Sequence, residues 1–309
     1  MKKFITIFTF IITIATTAVA NQPELDITLQ NARTACIPVF DKISALKTGT
    51  ITNTVVTGVG TVAGGAALYF GISKSKIDKQ VDELEKRLNN IENMSDEEFI
   101  RLLKDMAAAE EAINEYNSIC AQKKSLTEKS KQYGNLRTGL MATNTATAIA
   151  GTILANSNKN KSTDLSEMIN ECLTATRALT PFMGQAMVSH DNETYTKLKQ
   201  IIDTCSELNP DDVKSLTSKN KTSMISSAIN IGTGTVGTIT SAMANSENVR
   251  KNDTDSGKSK EKNLNTTANI FAGLSTGASG VATVFNAMAY GDTKDIQTIA
   301  KNCKKALEQ

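Results

Sequence analysis

Four stretches of this chain, residues 48–73, 138–158, 222–246 and 263–291, contain no charged side chain over 21 to 29 residues each. All four are rich in Gly, Ala, Thr and Ser with scattered aliphatics, and none contains proline. They are too long for ordinary strands, so helices are expected. Small residues recur every fourth position, which is one helical face. Gly139, Thr143, Thr147, Gly151 and Ala155 form the longest row; Gly60 and Gly64, Ala63 and Ala67 with Gly71, and Gly273 and Gly277 form others. Such faces let helix backbones approach closely and are commonest where helices meet inside a bilayer. The length also suffices, because about twenty residues span the hydrocarbon. Hydrophobicity is marginal: the seven Val, Leu, Ile and Phe residues of 53–72 contribute about −3 kcal/mol toward insertion. These helices therefore need close neighbours in either solvent.

The runs share a register. Asn53, Asn144 and Asn230 are each followed seven residues later by Gly-Thr-aliphatic, at Gly60, Gly151 and Gly237. "KSLTEKSK" at Lys124 returns as "KSLTSKNK" at Lys214. This is the pattern of a degenerate internal repeat. The fourth run shares the composition without the register.

The intervening segments are charged and amphipathic. Ile77, Val81, Leu84, Leu88 and Ile91 alternate steps of four and three, the seam of a coiled coil. After a break at "NMSDEEF", where Ser95 and Glu98 fit a capping box, the seam resumes at Phe99, Leu102, Met106, Ala109, Ile113, Tyr116 and Cys120. Residues 74–137 should thus form an antiparallel coiled-coil hairpin. Residues 21–47 and 292–309 read as terminal amphipathic helices. Residues 159–221 read as a helical segment carrying Cys172 and Cys205, with Asp164 able to open one helix and Asn209-Pro210 another. Residues 247–262 read as a polar linker. The fold class is all-α: helical hairpins and coiled-coil arms joined by four small-faced helices at 48–73, 138–158, 222–246 and 263–291.

Residues 1–20, "MKKFITIFTFIITIATTAVA", have the charged start, apolar centre and small-x-small end of a bacterial export signal cleaved after Ala20. Without Lys2 and Lys3 the chain holds 32 basic and 32 acidic residues, hence no net formal charge. A neutral chain with no Trp and no Arg-aromatic clusters offers no footprint for nucleic acid. Export favours disulfides among the five cysteines. If all four runs cross a membrane, 74–137 and 247–262 face the cytoplasm, with 17 basic residues in 80 positions against 15 in 108 for the exported segments. That bias has the expected sign. It leaves Cys120 unpaired in the reducing compartment and Cys36, Cys172, Cys205 and Cys303 to pair, with Cys172–Cys205 expected across a turn near His190 and Cys36–Cys303 by elimination. A soluble chain would free Cys120 to compete.

The motifs that suggest chemistry have plainer explanations. Gly58-x-Gly60 with Gly64-Gly65, and Asp78 further on, resembles a dinucleotide turn, but no strand precedes it and the related runs lack the paired glycines. Ser189, His190 and Asp191 are adjacent, the wrong geometry for a triad. Asp96-Glu97-Glu98 and Asp211-Asp212 sit at helix starts. No cofactor, metal or catalytic set is expected, and the chain reads as a non-enzyme. The leading expectation is an exported, membrane-associated cell-envelope protein that assembles with a protein partner or with itself through helix faces. The alternatives are a secreted effector or pore-former that inserts its glycine-rich hairpins, and a soluble periplasmic bundle that binds a protein.

Overall fold

The computed structural model of the chain describes residues 22–246, 249 and 255–309. The export signal expected at 1–20, with its cleavage site at Ala20, lies outside the described residues. Seven α-helices and no strand occur among the described residues: α1 (Gln22–Glu92), α2 (Asp96–Lys104), α3 (Met106–Arg177), α4 (Thr180–Val188), α5 (Asn192–Ser206), α6 (Pro210–Asn245) and α7 (Asp255–Glu308). The protein is all-α, with long helices packing against one another.

The helices are longer than the sequence pattern suggests. Three of the uncharged runs lie inside continuous helices and the run 222–246 forms the C-terminal part of α6, so no helix ends near residues 47, 73, 137, 158, 221 or 291. None of these borders holds proline or a turn cluster, so a change from small to charged residues alters the faces and leaves the backbone ladder intact. Asp164 therefore caps nothing; it lies inside α3 and pairs with Lys42 at 3.2 Å. The linker expected at 247–262 is helical from Asp255 onward.

The chain divides into two compact units. Unit 1 comprises Met1–Val55, Thr152–Met224 and Thr283–Gln309, and unit 2 comprises Val56–Gly151 and Ile225–Ala282.

Unit 1 has an apolar core. Val39, Ile43 and Leu46 of α1 meet Leu165 and Ile169 of α3, Leu198 and Ile201 of α5, Leu216 of α6 and Leu307 of α7. Two disulfides lie within this core, Cys36–Cys172 and Cys205–Cys303. The four expected cysteines are thus the bonded ones, with partners exchanged relative to the expected Cys172–Cys205 and Cys36–Cys303. The reason is local. Two breaks, at Ala178-Leu179 and at His190, separate α3 from α5. Cys172 consequently faces α1, at a Cα–Cα distance of 4.7 Å from Cys36, and Cys205 faces α7. His190 takes a left-handed backbone (φ 57°) in the second break, and Asp191 caps α5 by accepting from the Thr194 N–H at 3.1 Å.

Unit 2 contains the arm. The Ser95 hydroxyl accepts from the Glu98 N–H, and Glu98 accepts from the Ser95 N–H, completing the expected capping box. The arm's apolar contact is Leu84 and Leu88 against Ile119, with Ile91, Tyr116, Cys120 and Leu126 around them. The outer half of the expected seam does not pack: Phe99, Met106 and Ile113 are exposed. A second break at Asp105, whose carboxylate accepts from the Ala107 and Ala108 N–H groups, interrupts the spacing there.

Candidate functional site

The polarity of unit 2 beyond the arm is inverted relative to a water-soluble bundle. Its interior combines amides, hydroxyls and glycines contributed by α1, α3, α6 and α7 with a small apolar cluster of Ala67, Met141 and Ala272. Asn230 donates to Asn144 Oδ1 at 2.9 Å, Asn144 donates to Ser275 Oγ at 2.8 Å, and Ser275 donates to Asn230 Oδ1. These three residues are buried, and their bonds close a ring across three helices. On the α1 side, Thr61 donates to Ser279 at 3.2 Å. Each of these buried groups would cost free energy if left unpaired, and each is paired across a helix boundary.

Glycines make that approach possible. A Cβ on Gly60 would lie 2.4 Å from Thr147 Oγ1, one on Gly64 2.7 Å from Asn144 Nδ2, and one on Gly71 2.0 Å from Asn269 Oδ1. Gly237 faces the Met141 side chain in the same way, and Gly151 is buried. The other glycines expected to pack do not. Gly139, Gly273 and Gly277 have nothing within 4 Å of a Cβ position, so they open outward within this chain. Position on a four-residue row is a poor guide to facing here, because the interior of each helix is one narrow stripe and Gly139 and Gly273 lie two residues from buried Arg137 and Ser275.

The outward faces carry the large apolar side chains: Val59, Val62, Tyr69 and Ile72 on α1, Leu136 and Ile149 on α3, Ile229, Val236 and Ile239 on α6, and Ile270, Leu274 and Val281 on α7. The outward threonines are internally satisfied. Thr143, Thr233, Thr235 and Thr240 each donate to the carbonyl four residues back in their own helix. That leaves the outer surface with few hydroxyl protons free for solvent.

Both α1 and α7 are long and apolar enough to cross a membrane. Only 33 % and 28 % of their most apolar windows are buried inside the protein, whereas the core helix of a water-soluble protein would bury most of such a window. Together with the disulfides, these helices fit an exported or membrane-associated protein.

A charged layer lies beside the polar interior. Lys74 is fully buried and donates to Asp78 at 2.6 Å and to Glu261 at 2.9 Å. Ser130 donates to Asp78 at 2.5 Å. Arg137, also fully buried, donates through Nε to Ser241 and through its terminal nitrogens to Asn269 and Asn265. Burial pushes the Arg137 guanidinium down to about 10, while Asp78 and Glu261 pull it back up. It stays charged at neutral pH. Removing one member of such a set leaves an uncompensated buried charge, which is strongly destabilising.

Asp78, the acid of the dinucleotide resemblance, is therefore a partner of Lys74, and its glycines lie inside a helix of 71 residues. Comparisons with protein families, with curated proteins and with solved structures find nothing that matches this chain. Sequence reasoning singled out Asn53, Asn144 and Asn230 as markers of a repeat and missed that Asn144 and Asn230 bond to each other inside the bundle. It missed Lys74, Arg137 and Glu261 altogether; the signal was a charge at the edge of an apolar run, on the same stripe as the inward glycines.

Cys120 is the free cysteine among the described residues, half-buried in the arm. The three sulfurs of Cys36, Cys172 and Cys303 lie within 4.8 Å of one another in unit 1, held there as disulfides.

Proposed function

We propose that this is an exported, non-enzymatic cell-envelope protein, anchored in a membrane by the four-helix part of unit 2, that acts by presenting helical segments to a protein partner. The observation that carries the reading is the inverted polarity. Asn144, Asn230, Ser275 and Ser279 are buried and bonded across helices, while Val, Ile and Leu face out on all four helices. In water this arrangement exposes apolar surface and hides polar surface, which is unfavourable on both counts. In hydrocarbon both signs reverse, and every backbone group is satisfied within its own helix.

Along the chain, each uncharged run separates a disulfide-bearing segment from either 74–137 or 247–262. A membrane anchor built this way keeps Cys36, Cys172, Cys205 and Cys303 on the oxidising side and leaves Cys120 as a thiol on the other. The arm with its exposed Phe99, Ile100 and Met106 is the segment offered to a partner on that second side.

Carbonate extraction of fractionated cells tests the anchor. The protein should stay in the membrane pellet; release into the supernatant would overturn the reading. Liposomes reconstituted with the purified chain should not leak, since the interior is closed by direct side-chain bonds.

A further inference from the structure

We infer that the two disulfides of unit 1 form a single thiol–disulfide exchange centre, with Cys303 as the sulfur shared between alternative pairings. Cys303 Sγ lies within 4.8 Å of both Cys36 and Cys172 Sγ while bonded to Cys205. The four cysteines come from α1, α3, α5 and α7, and all are nearly or fully buried. Exchange requires a thiolate close to a disulfide sulfur, and here the distance to be closed is on the order of one ångström beyond van der Waals contact of two sulfurs.

The step balances without a net oxidant or reductant once one thiol exists in the centre. With Cys205 removed or reduced, the Cys303 thiol loses its proton and the thiolate attacks the Cys36–Cys172 bond. A Cys303–Cys172 bond forms, the Cys36–Cys172 bond breaks, and Cys36 leaves as the thiolate that takes up a proton. Attack on the other sulfur gives Cys303–Cys36 and frees Cys172. In the intact chain the first thiol comes from reduction of Cys205–Cys303 by an external dithiol, which becomes oxidised to its own disulfide. The consequence is structural: the cross-links can move from α1–α3 and α5–α7 to pairs that tie α7 to α1 or to α3.

The test uses the full mature chain carrying Cys205→Ser, with acid quenching, alkylation of free thiols and peptide mapping without reductant. Exchange predicts that Cys303 is alkylated at less than one equivalent, that the missing thiol appears on Cys36 or Cys172, and that a Cys303–Cys172 or Cys303–Cys36 peptide is recovered. Full alkylation of Cys303 with Cys36–Cys172 as the only bridged peptide would overturn the proposal. The wild-type chain, treated with less than one equivalent of dithiothreitol and mapped in the same way, guards against a variant that fails to fold. Mixed pairs should appear among its singly reduced molecules, and strictly Cys36–Cys172 or Cys205–Cys303 in those molecules counts against exchange.

Discussion

Asn230 donates to Asn144 at 2.9 Å across the α3–α6 boundary, and Ser275 of α7 closes the ring by accepting from one and donating to the other. Each of the three has its polar atoms committed to the other two. Ser275→Ala removes little volume but leaves the Asn144 amide N–H and Asn230 Oδ1 buried and unpaired. The expected loss is about 1–3 kcal/mol. Equilibrium unfolding in detergent measures it. A double-mutant cycle with Asn230→Ala should give clearly less than the sum of the single effects, because the first substitution already opens the ring.

The glycines separate into two groups with opposite expected responses. At Gly64 an added Cβ meets Asn144 Nδ2 and Thr276 Oγ1 at 2.7 Å and the Thr276 backbone at 3.3 Å. Gly64→Ala must push α1 from α7 and should destabilise by about 1–3 kcal/mol. Gly277→Ala faces open space and should stabilise by about 0.5–1 kcal/mol through helix propensity alone. Thermal unfolding of the two variants under one condition reads both signs. Equal effects would refute the assignment of inward and outward faces.

The cross-links of unit 1 join residues 136 and 98 positions apart. Replacing Cys36 and Cys172 together by Ser removes one of them without leaving a free thiol behind, and the expected cost is about 2–5 kcal/mol. The same loss should not follow from Cys120→Ser, since Cys120 is unbonded. Chemical denaturation of the three proteins without reductant gives the comparison.

In the arm, pH acts through carboxylates with opposite shifts. Hydrogen bonds from the Ser95 backbone and hydroxyl hold the Glu98 carboxyl below its usual range. Burial pushes Glu85 up, but hydrogen bonds and charge from Lys258 and Lys123 outweigh it and hold it low as well. Both groups favour the folded arm when ionised. Their contribution is complete above the unfolded value near 4.5 and is lost as pH falls through the lower folded values. Asp82 is the reverse case: burial, then the charge of Glu85, raise it, so its ionised form opposes folding at neutral pH. Asp82→Asn should therefore leave the arm as stable or more stable at pH 7, while Glu98→Gln weakens it at pH 7 and flattens its acid response. Hydrogen exchange over residues 77–126 at pH 7 and pH 3 distinguishes these outcomes.

Much of this architecture was legible in the chain. The uncharged runs and the Ser95–Glu98 cap follow from local spacing, and the four bonded cysteines and free Cys120 are the ones expected. Three things were not. Helix continuity across the run borders was hidden because charge contrast resembles a boundary, although it carries no backbone instruction. The disulfide partners were hidden because two breaks rather than one lie between Cys172 and Cys205, and pairing depends on where four helices converge. The inward stripe was hidden because Asn, Thr, Ser and Gly look alike on the inner and outer faces until a neighbouring helix is placed. Lys74 and Arg137 show the same limit: each reads as a boundary charge in sequence, yet both are buried with partners up to 187 residues away.

The solvent outside unit 2 can be decided by one exposed side chain. Val62 is 73 % exposed on the outer face of α1, in the middle of the uncharged run. In water, Val62→Lys is a surface substitution on a helix and should change stability by no more than about 0.5 kcal/mol. In hydrocarbon the same ammonium costs about 2.5–3.5 kcal/mol at the centre of a spanning helix. Loss should then appear as reduced membrane-pellet yield after carbonate extraction and a lower unfolding midpoint in detergent. Val62→Leu, which keeps the face apolar, should match the parent in both. A lysine variant indistinguishable from the leucine variant would place the apolar face in contact with water or with another protein, and the membrane anchor would have to be abandoned.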